Sequence, residues 1–228
     1  MTFIKPRIHA LSWSRINTHS KCAKLAYYKF VEKIKDPGGF ASDRGSNIHK
    51  MAEEYLMAGE EHPLPPVLSK VGSVLYELRG LENKTVERQL SWDKNWDECE
   101  WFYPGTYMRA IMDFTGELSP TRMRIVDHKT GKVYPDHPEQ LELMVLCAMH
   151  LAEWDHIDEF VVNDLYIDQG FMSSDTMYVR EQFKELHDKW DPIFEKVTSD
   201  DIFGANPGSA CKWCFVSAKK GGPCEHGH

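Results

Sequence analysis

The sequence predicts an α/β fold, and three observations carry that prediction. Helical apolar periodicity runs through the first 80 residues and returns at 138–151 and 181–197, with β-rich runs between. The element order is helices, then a strand meander, then helix–strand–helix, which is the order of an α/β chain. The 228 residues are 42% hydrophobic and 27% charged, with no repeat or low-complexity segment. That length is enough to bury one core, so residues 1–228 read as a single domain. Within it lie a helical part (1–80), a core (81–200) and a cysteine-rich tail (201–228).

The elements follow in order. Thr18 to Lys35 reads as a helix with Tyr27, Phe30, Val31 and Ile34 on its apolar side, stopped by Pro37-Gly38-Gly39. A second helix starts after the polar Ser42-Asp43, places His49 and Glu53 on one face, and ends near Gly59. A third runs from Pro63–Pro66 to about Gly80. Strands are expected at Thr85–Trp92, Glu100–Tyr103, Thr106–Phe114 and Arg122–His128. A strongly apolar helix over Pro138–Leu151 covers the sheet. Glu159–Tyr166 is a further strand and Glu181–Val197 the last long helix, before Asn206-Pro207-Gly208 leads into the tail.

The run Arg124-Ile125-Val126-Asp127-His128-Lys129-Thr130-Gly131-Lys132 carries the chemistry. Successive strand side chains alternate, so Asp127 and Lys129 share one face where the strand meets a Thr-Gly turn. A carboxylate beside an ammonium suits metal-assisted phosphodiester cleavage: the acid holds Mg²⁺ or Mn²⁺, and the lysine positions or deprotonates the attacking water. An isolated Asp-x-Lys is more often a surface ion pair, and the context is what lifts it. Asp113 closes a strand that can pair with the Asp127 strand. His49, Asp113 and Asp127 together offer nitrogen and oxygen ligands to one hard cation, and the main-chain carbonyl of His128 adds another oxygen. Gln140 stands at the head of a helix, as a site residue or as an ordinary first-turn residue. Glu53 either tethers His49 or solvates its helix.

Six cysteines are present, at positions 22, 99, 147, 211, 214 and 224. Met1 to Ala10 has no apolar signal core and no stretch approaches a membrane span, so a reducing, cytoplasmic compartment is expected, where clustered cysteines indicate metal more often than disulfides. Cys211-x-x-Cys214 has chelate spacing and Cys224 follows in a turn-rich loop. With His226 or His228 these would form a tetrahedral Zn²⁺ site from the tail alone. Cys147 belongs to an apolar helix stripe, and Cys99 has no evident partner.

These motifs together resemble the RecB-like branch of the PD-(D/E)XK nucleases, and within it the CRISPR-associated RecB-like exonucleases and their phage relatives. The resemblance covers Leu11-Ser12-Trp13-Ser14-Arg15-Ile16, Cys22 with Tyr27-Tyr28, Gly45 to His49, Asp113, Asp127-His128-Lys129-Thr130-Gly131, Gln140, and Cys211-Lys212-Trp213-Cys214 with Cys224. It implies a restriction-endonuclease-like core, a central mixed β-sheet flanked by helices. It implies metal binding by His49, Asp113 and Asp127, catalysis by Lys129, and site organisation by Gln140. It also implies a [4Fe–4S] cluster on Cys22, Cys211, Cys214 and Cys224 that staples the two ends. The activity it implies is a metal-dependent 5′→3′ exonuclease on single-stranded DNA or DNA ends, leaving 5′-phosphates, in a bacterial, archaeal or phage-infected cell. A recombination or CRISPR-adaptation protein is the partner it suggests. Two positions depart from the family pattern: Met144 stands where a tyrosine is usual, and Met112 replaces the small residues ahead of Asp113.

The net charge of −8 opposes nucleic-acid binding on a bare count, but residues 1–50 carry ten basic against three acidic side chains, +7, and the rest carry −15. Arg15, Lys21, Lys24 and Lys29 are the candidate phosphate contacts, with a solvated helix face as the alternative for each. Seven tryptophans suit core packing first and base stacking second. Two other functions stay open: a DNA-binding module without catalysis, and a zinc-stabilised interaction protein.

Overall fold

The computed structural model describes residues 7–59, 61–133 and 138–226. Helix α1 (Trp13–Lys21) begins at Ser12, whose hydroxyl accepts from the Arg15 N–H, so the cap sets its start six residues earlier than the apolar pattern alone suggests. The single helix expected over 18–35 is broken at Cys22, which is extended at φ −163°. Beyond it come the short α2 (Ala23–Ala26) and one π-helical turn, Tyr27–Val31.

Helix α3 (Phe40–Met57) carries His49 and buries Ile48, Ala52, Tyr55 and Leu56. The third expected helix divides into a 3-10 segment, Pro66–Val71, and α4 (Gly72–Arg79). Six strands follow: β1 (Glu82–Trp92), β2 (Met108–Ser119), β3 (Arg122–Lys129), β4 (Glu159–Tyr166), β5 (Phe171–Met172) and β6 (Thr176–Val179). Glu100–Tyr103 is a turn rather than a strand, because the chain between β1 and β2 closes on itself through Asp93, Cys99 and Thr106. β2 does not stop at Asp113. It runs on to Ser119, so the acid sits mid-strand among buried neighbours.

The sheet order is β1-β2-β3-β4-β5, with β6 also paired to β4. Only β3 and β4 run parallel; the other pairs are antiparallel. A parallel pair needs a crossover, and α5 (Pro138–Met149) lies within it. β4 is buried along nearly all its length, as befits a strand covered on both faces. On one face α1, α5 and α6 (Phe183–Ser199) pack around Met112, Ile125, Phe160 and Val162. On the other, α3 and α4 pack on Phe114, Val126, Leu165 and Ile167. This is a mixed sheet between helical layers, as the sequence leads one to expect. Trp92, Trp190, Phe114 and Phe160 are wholly buried, and each such side chain contributes about 1.5–3 kcal/mol.

The termini meet. His19 Nε2 lies 2.8 Å from Asp200 Oδ2, Asn206 donates to the Lys21 carbonyl at 3.0 Å, and Lys24 Nζ reaches Glu225 at 2.7 Å. Lys24 is thus paired with the tail. Among the described residues no helix is long and apolar enough to cross a membrane.

Candidate active site

Helix α3 and the paired strands β2 and β3 converge where Asp113, mid-strand in β2, meets Asp127 near the end of β3. Antiparallel register sets Phe114 opposite Val126, which brings Asp113 and Asp127 side by side. Asp113 Oδ2 accepts the His128 backbone N–H at 2.7 Å, locking the two strands together at the acids. Helix α3 places His49 Nδ1 3.6 Å from Asp113 Oδ2 and 3.5 Å from Glu87 Oε1. Asp127 Oδ2 lies 2.5 Å from Lys129 Nζ, and Lys129 donates to Gln140 Oε1 at 2.7 Å. Gln140 Nε2 returns to Asp127 Oδ1 at 2.5 Å, closing a three-residue ring. All five residues singled out by sequence thus share one site.

The helix that carries His49 is clamped to the end of β3. Arg44 grips both oxygens of Asp168, at 2.9 and 2.5 Å, and Asp168 also accepts the Gly131 N–H at 2.7 Å. Gly45 permits the approach: a Cβ there would meet Thr130 Oγ1 at 3.1 Å. No hydrogen bond or ion pair joins Glu53 to His49 among the described residues; Glu53 lines the neighbouring cleft, and the His49 partners are Glu87 and Asp113.

The electrostatics call for a cation. Asp113 and Asp127 are both buried, and burial followed by the charge of Asp127 pushes the Asp113 carboxyl far above the usual range. Burial opposes charge on His49, but Glu87 and Asp113 outweigh it and raise its pKa. Lys129 is likewise raised: burial acts against it and Asp127 prevails. His128 differs. Its ring is buried 5.7 Å from the His49 ring, and neither ring nitrogen has a hydrogen-bond partner among the described residues. Burial, then His49, depresses its pKa to about 3, leaving a neutral imidazole. Donor atoms of His49, Asp113 and His128 all lie within 4.8 Å of one another. Two crowded carboxylates and an unpartnered neutral imidazole fit a divalent cation. The sequence expectation concerned the His128 carbonyl; here its imidazole is the group turned to the ligand cluster.

The family model of the PD-(D/E)XK nuclease superfamily matches residues 10–218. The chain belongs to the PD-(D/E)XK nuclease superfamily. As a member of that superfamily it is a nuclease, and such enzymes use divalent metals. No curated protein matches the chain. Among solved structures it is similar to SSO0001, at 11% identity over 100% of this chain and 91% of that one, with a TM-score of 0.43. It is also similar to a protein from Eubacterium rectale that bears the name "Putative exonuclease", at 11% identity over 93% and 87% of the two chains, with a TM-score of 0.47.

Three acidic or basic neighbours escaped the sequence reading of this nuclease. Glu87 adopts φ +49° within β1, across from Asp113, and no periodic signal marks it. Asp164 lies beside Asp127 in the parallel register, its Oδ1 3.8 Å from Lys129 Nζ. A buried acid inside Phe160-Val161-Val162-Asn163-Asp164-Leu165 was the available signal. Arg109 lines the same cavity as Arg15. Lys21 lines a smaller cavity beyond Lys129 and Gln140.

The cysteine tail gathers beside Lys21 and Lys24. The Cys214 thiol is raised by burial first, and then by Cys224, Cys22 and Cys211, so all four sulfurs lie within electrostatic reach. A Gly208 N–H points at Cys211 Sγ at 3.4 Å, and Cys224 is held by backbone bonds to Val216 and Ala218. Among the described residues no three of these sulfurs lie within 4.8 Å of one another. Cys147 is buried in the core as expected, and Cys99 meets Ser91 and Thr106 at 3.8 Å. His226 lies 3.4 Å from Glu225, and His228 falls outside the described residues.

Proposed function

We propose that this chain is a Mg²⁺- or Mn²⁺-dependent deoxyribonuclease, an exonuclease on single-stranded DNA or DNA ends that leaves 5′-phosphates. The observation that carries the reading is the closed Asp127–Lys129–Gln140 ring beside the His49, Asp113 and His128 donor set. Both line one cavity of about 520 Å³. The 5′→3′ polarity rests on the family resemblance.

His49, Asp113 and Asp127 would hold the cation, with the His128 imidazole as a further donor. When bound, that cation supplies Lewis acidity at the phosphoryl oxygen and lowers the pKa of a water. Lys129 stands at the boundary of two cavities, where its ammonium meets the scissile phosphate and offsets the charge that grows on it. Gln140 fixes Lys129 and Asp127 together, so neither has to reorganise as the reaction proceeds. The attacking water gives up one proton to solvent as its oxygen bonds to phosphorus and the P–O3′ bond breaks, and the 3′ oxygen takes a proton from solvent.

The four cysteines are read as ligands of a [4Fe–4S] cluster that ties α1 and α2 to the tail. The preference over zinc rests on Cys22, which lies within electrostatic reach of Cys214, and on the family resemblance.

The test is cleavage of single-stranded DNA labelled separately at each end, in Mn²⁺, Mg²⁺ or EDTA, with Asp127→Ala and Lys129→Ala in parallel. Metal-dependent products absent from both variants support the reading, and the two labels give the polarity. Folded protein that cleaves nothing in any metal overturns it.

A further inference from the structure

The cavity beside the acids has a second wall that the chemistry above does not use. Glu87, Asp113 and Asp127 line the cavity, and so do Arg15 and Arg109. Two like charges set together in a partly buried cavity are unfavourable without an anion between them. Arg15 is anchored: it donates to the Ala10 carbonyl and lies 5.4 Å from the Phe30 ring. Arg109 makes no side-chain hydrogen bond or ion pair among the described residues, and its Nε is buried without a partner. What it touches is aromatic, with Trp101 and Phe102 rings 5.2 and 5.8 Å away. Phe102 is 84% exposed and Tyr103 50%, and they follow directly on Trp101, which lines the cavity. Exposed aromatics beside an unpaired guanidinium form a stacking platform rather than a core.

The volume, about 520 Å³, is that of a small-ligand pocket. It cannot admit a base that remains paired and stacked in a duplex. We propose that this cavity seats one unpaired nucleotide of the substrate strand, its phosphate against Arg15 and Arg109 and its base against Trp101 and Phe102, and so selects single strands over duplex. The platform is built by the turn before β2, and β2 also carries Asp113. A nucleotide held there is therefore positioned relative to the cleavage centre by one strand.

The inference rests on the nuclease reading and is tested apart from it. Equilibrium binding of fluorescent oligothymidylate and of a matched duplex is measured in EDTA and in Ca²⁺, for wild type, Phe102→Ala, Trp101→Ala and Arg109→Gln. Phe102 is exposed, so its replacement leaves the fold intact. Each aromatic loss is expected to weaken single-strand binding roughly tenfold or more and to leave duplex binding within twofold. Arg109→Gln lowers the salt slope by about one, and Arg109→Lys restores the slope but not the affinity. Equal losses on both substrates, unchanged single-strand binding, or no single-strand binding by wild type overturn the inference. Cleavage by wild type in Mn²⁺ with unaltered Phe102→Ala binding sinks this proposal alone. Binding as proposed without cleavage in any metal sinks the nuclease reading alone.

Discussion

Replacing His128 with leucine sets stability against metal binding, with opposite signs expected. His128 is 3% exposed, and both ring nitrogens lack hydrogen-bond partners among the described residues. An unsatisfied buried polar group costs about 1–3 kcal/mol, and leucine has similar bulk with no polar atom. In EDTA, His128→Leu is expected to gain about 2 kcal/mol. At ~2–4 °C per kcal/mol for a chain of this size, that is a Tm rise of about 4–8 °C. With metal that gain shrinks to under about 1 kcal/mol. A cation present at 100 times its Kd adds about 2.7 kcal/mol to wild type, and a tenfold weaker affinity removes roughly half of that. Mn²⁺ should suffer more than Mg²⁺, because imidazole favours the transition metal. The assay is thermal unfolding in EDTA, Mg²⁺ and Mn²⁺, with calorimetric titration of each ion. A variant that unfolds earlier in EDTA yet keeps the wild-type metal shift refutes the reasoning, since His128 would then be a packed core residue and no ligand.

Three further outcomes are expected. His150 lies 2.8 Å from His187 across their Nε2 atoms and stacks on Trp96 at 3.9 Å, with Phe183 against it and Asp191 behind His187. Burial, then His187, depresses its pKa to about 3, while the unfolded chain takes that proton near 6.5. Neutral His150 therefore contributes stability that is whole above about pH 6.5 and lost as pH falls toward 3; Tm measured from pH 7 to 4 should drop less in His150→Phe than in wild type. Asp168→Asn loosens the clamp between α3 and β3, and calorimetry should show metal affinity falling roughly 10- to 100-fold while the fold persists. Cys22→Ser, reconstituted with iron and sulfide, should lose cluster iron, visible absorption and thermal stability together; zinc bound in equal amount by wild type and variant would instead support a tail-only site.

Much of the site was legible because strand and helix geometry convert sequence spacing into position. Asp127 and Lys129 lie two apart on a strand, so they face one way whatever surrounds them. Gln140 heads the crossover helix that follows, and the chain had to return it to the same edge. Glu87 was not legible. Its place depends on a left-handed residue inside β1 and on the register of β1 against β2, neither of which has a period. The expected helix over 18–35 failed because Cys22 adopts an extended conformation between α1 and α2. The tail docks beside this break, with Asn206 donating to the Lys21 carbonyl, and local propensity does not register such long-range contacts.

The sequence by itself determined the α/β order and two groups of candidate side chains, the His49, Asp113, Asp127, Lys129 and Gln140 set and the cysteines. These follow from local rules: apolar period, alternation along a strand, and the chemistry of carboxylate, imidazole and thiol. Only the tertiary structure decided that the His128 ring lies with His49 and Asp113, that Asp168 clamps α3 to β3, and that Arg15 and Arg109 line one cavity with Trp101. Each joins segments distant in the chain, and the contact exists only after the sheet has paired and its helices have packed.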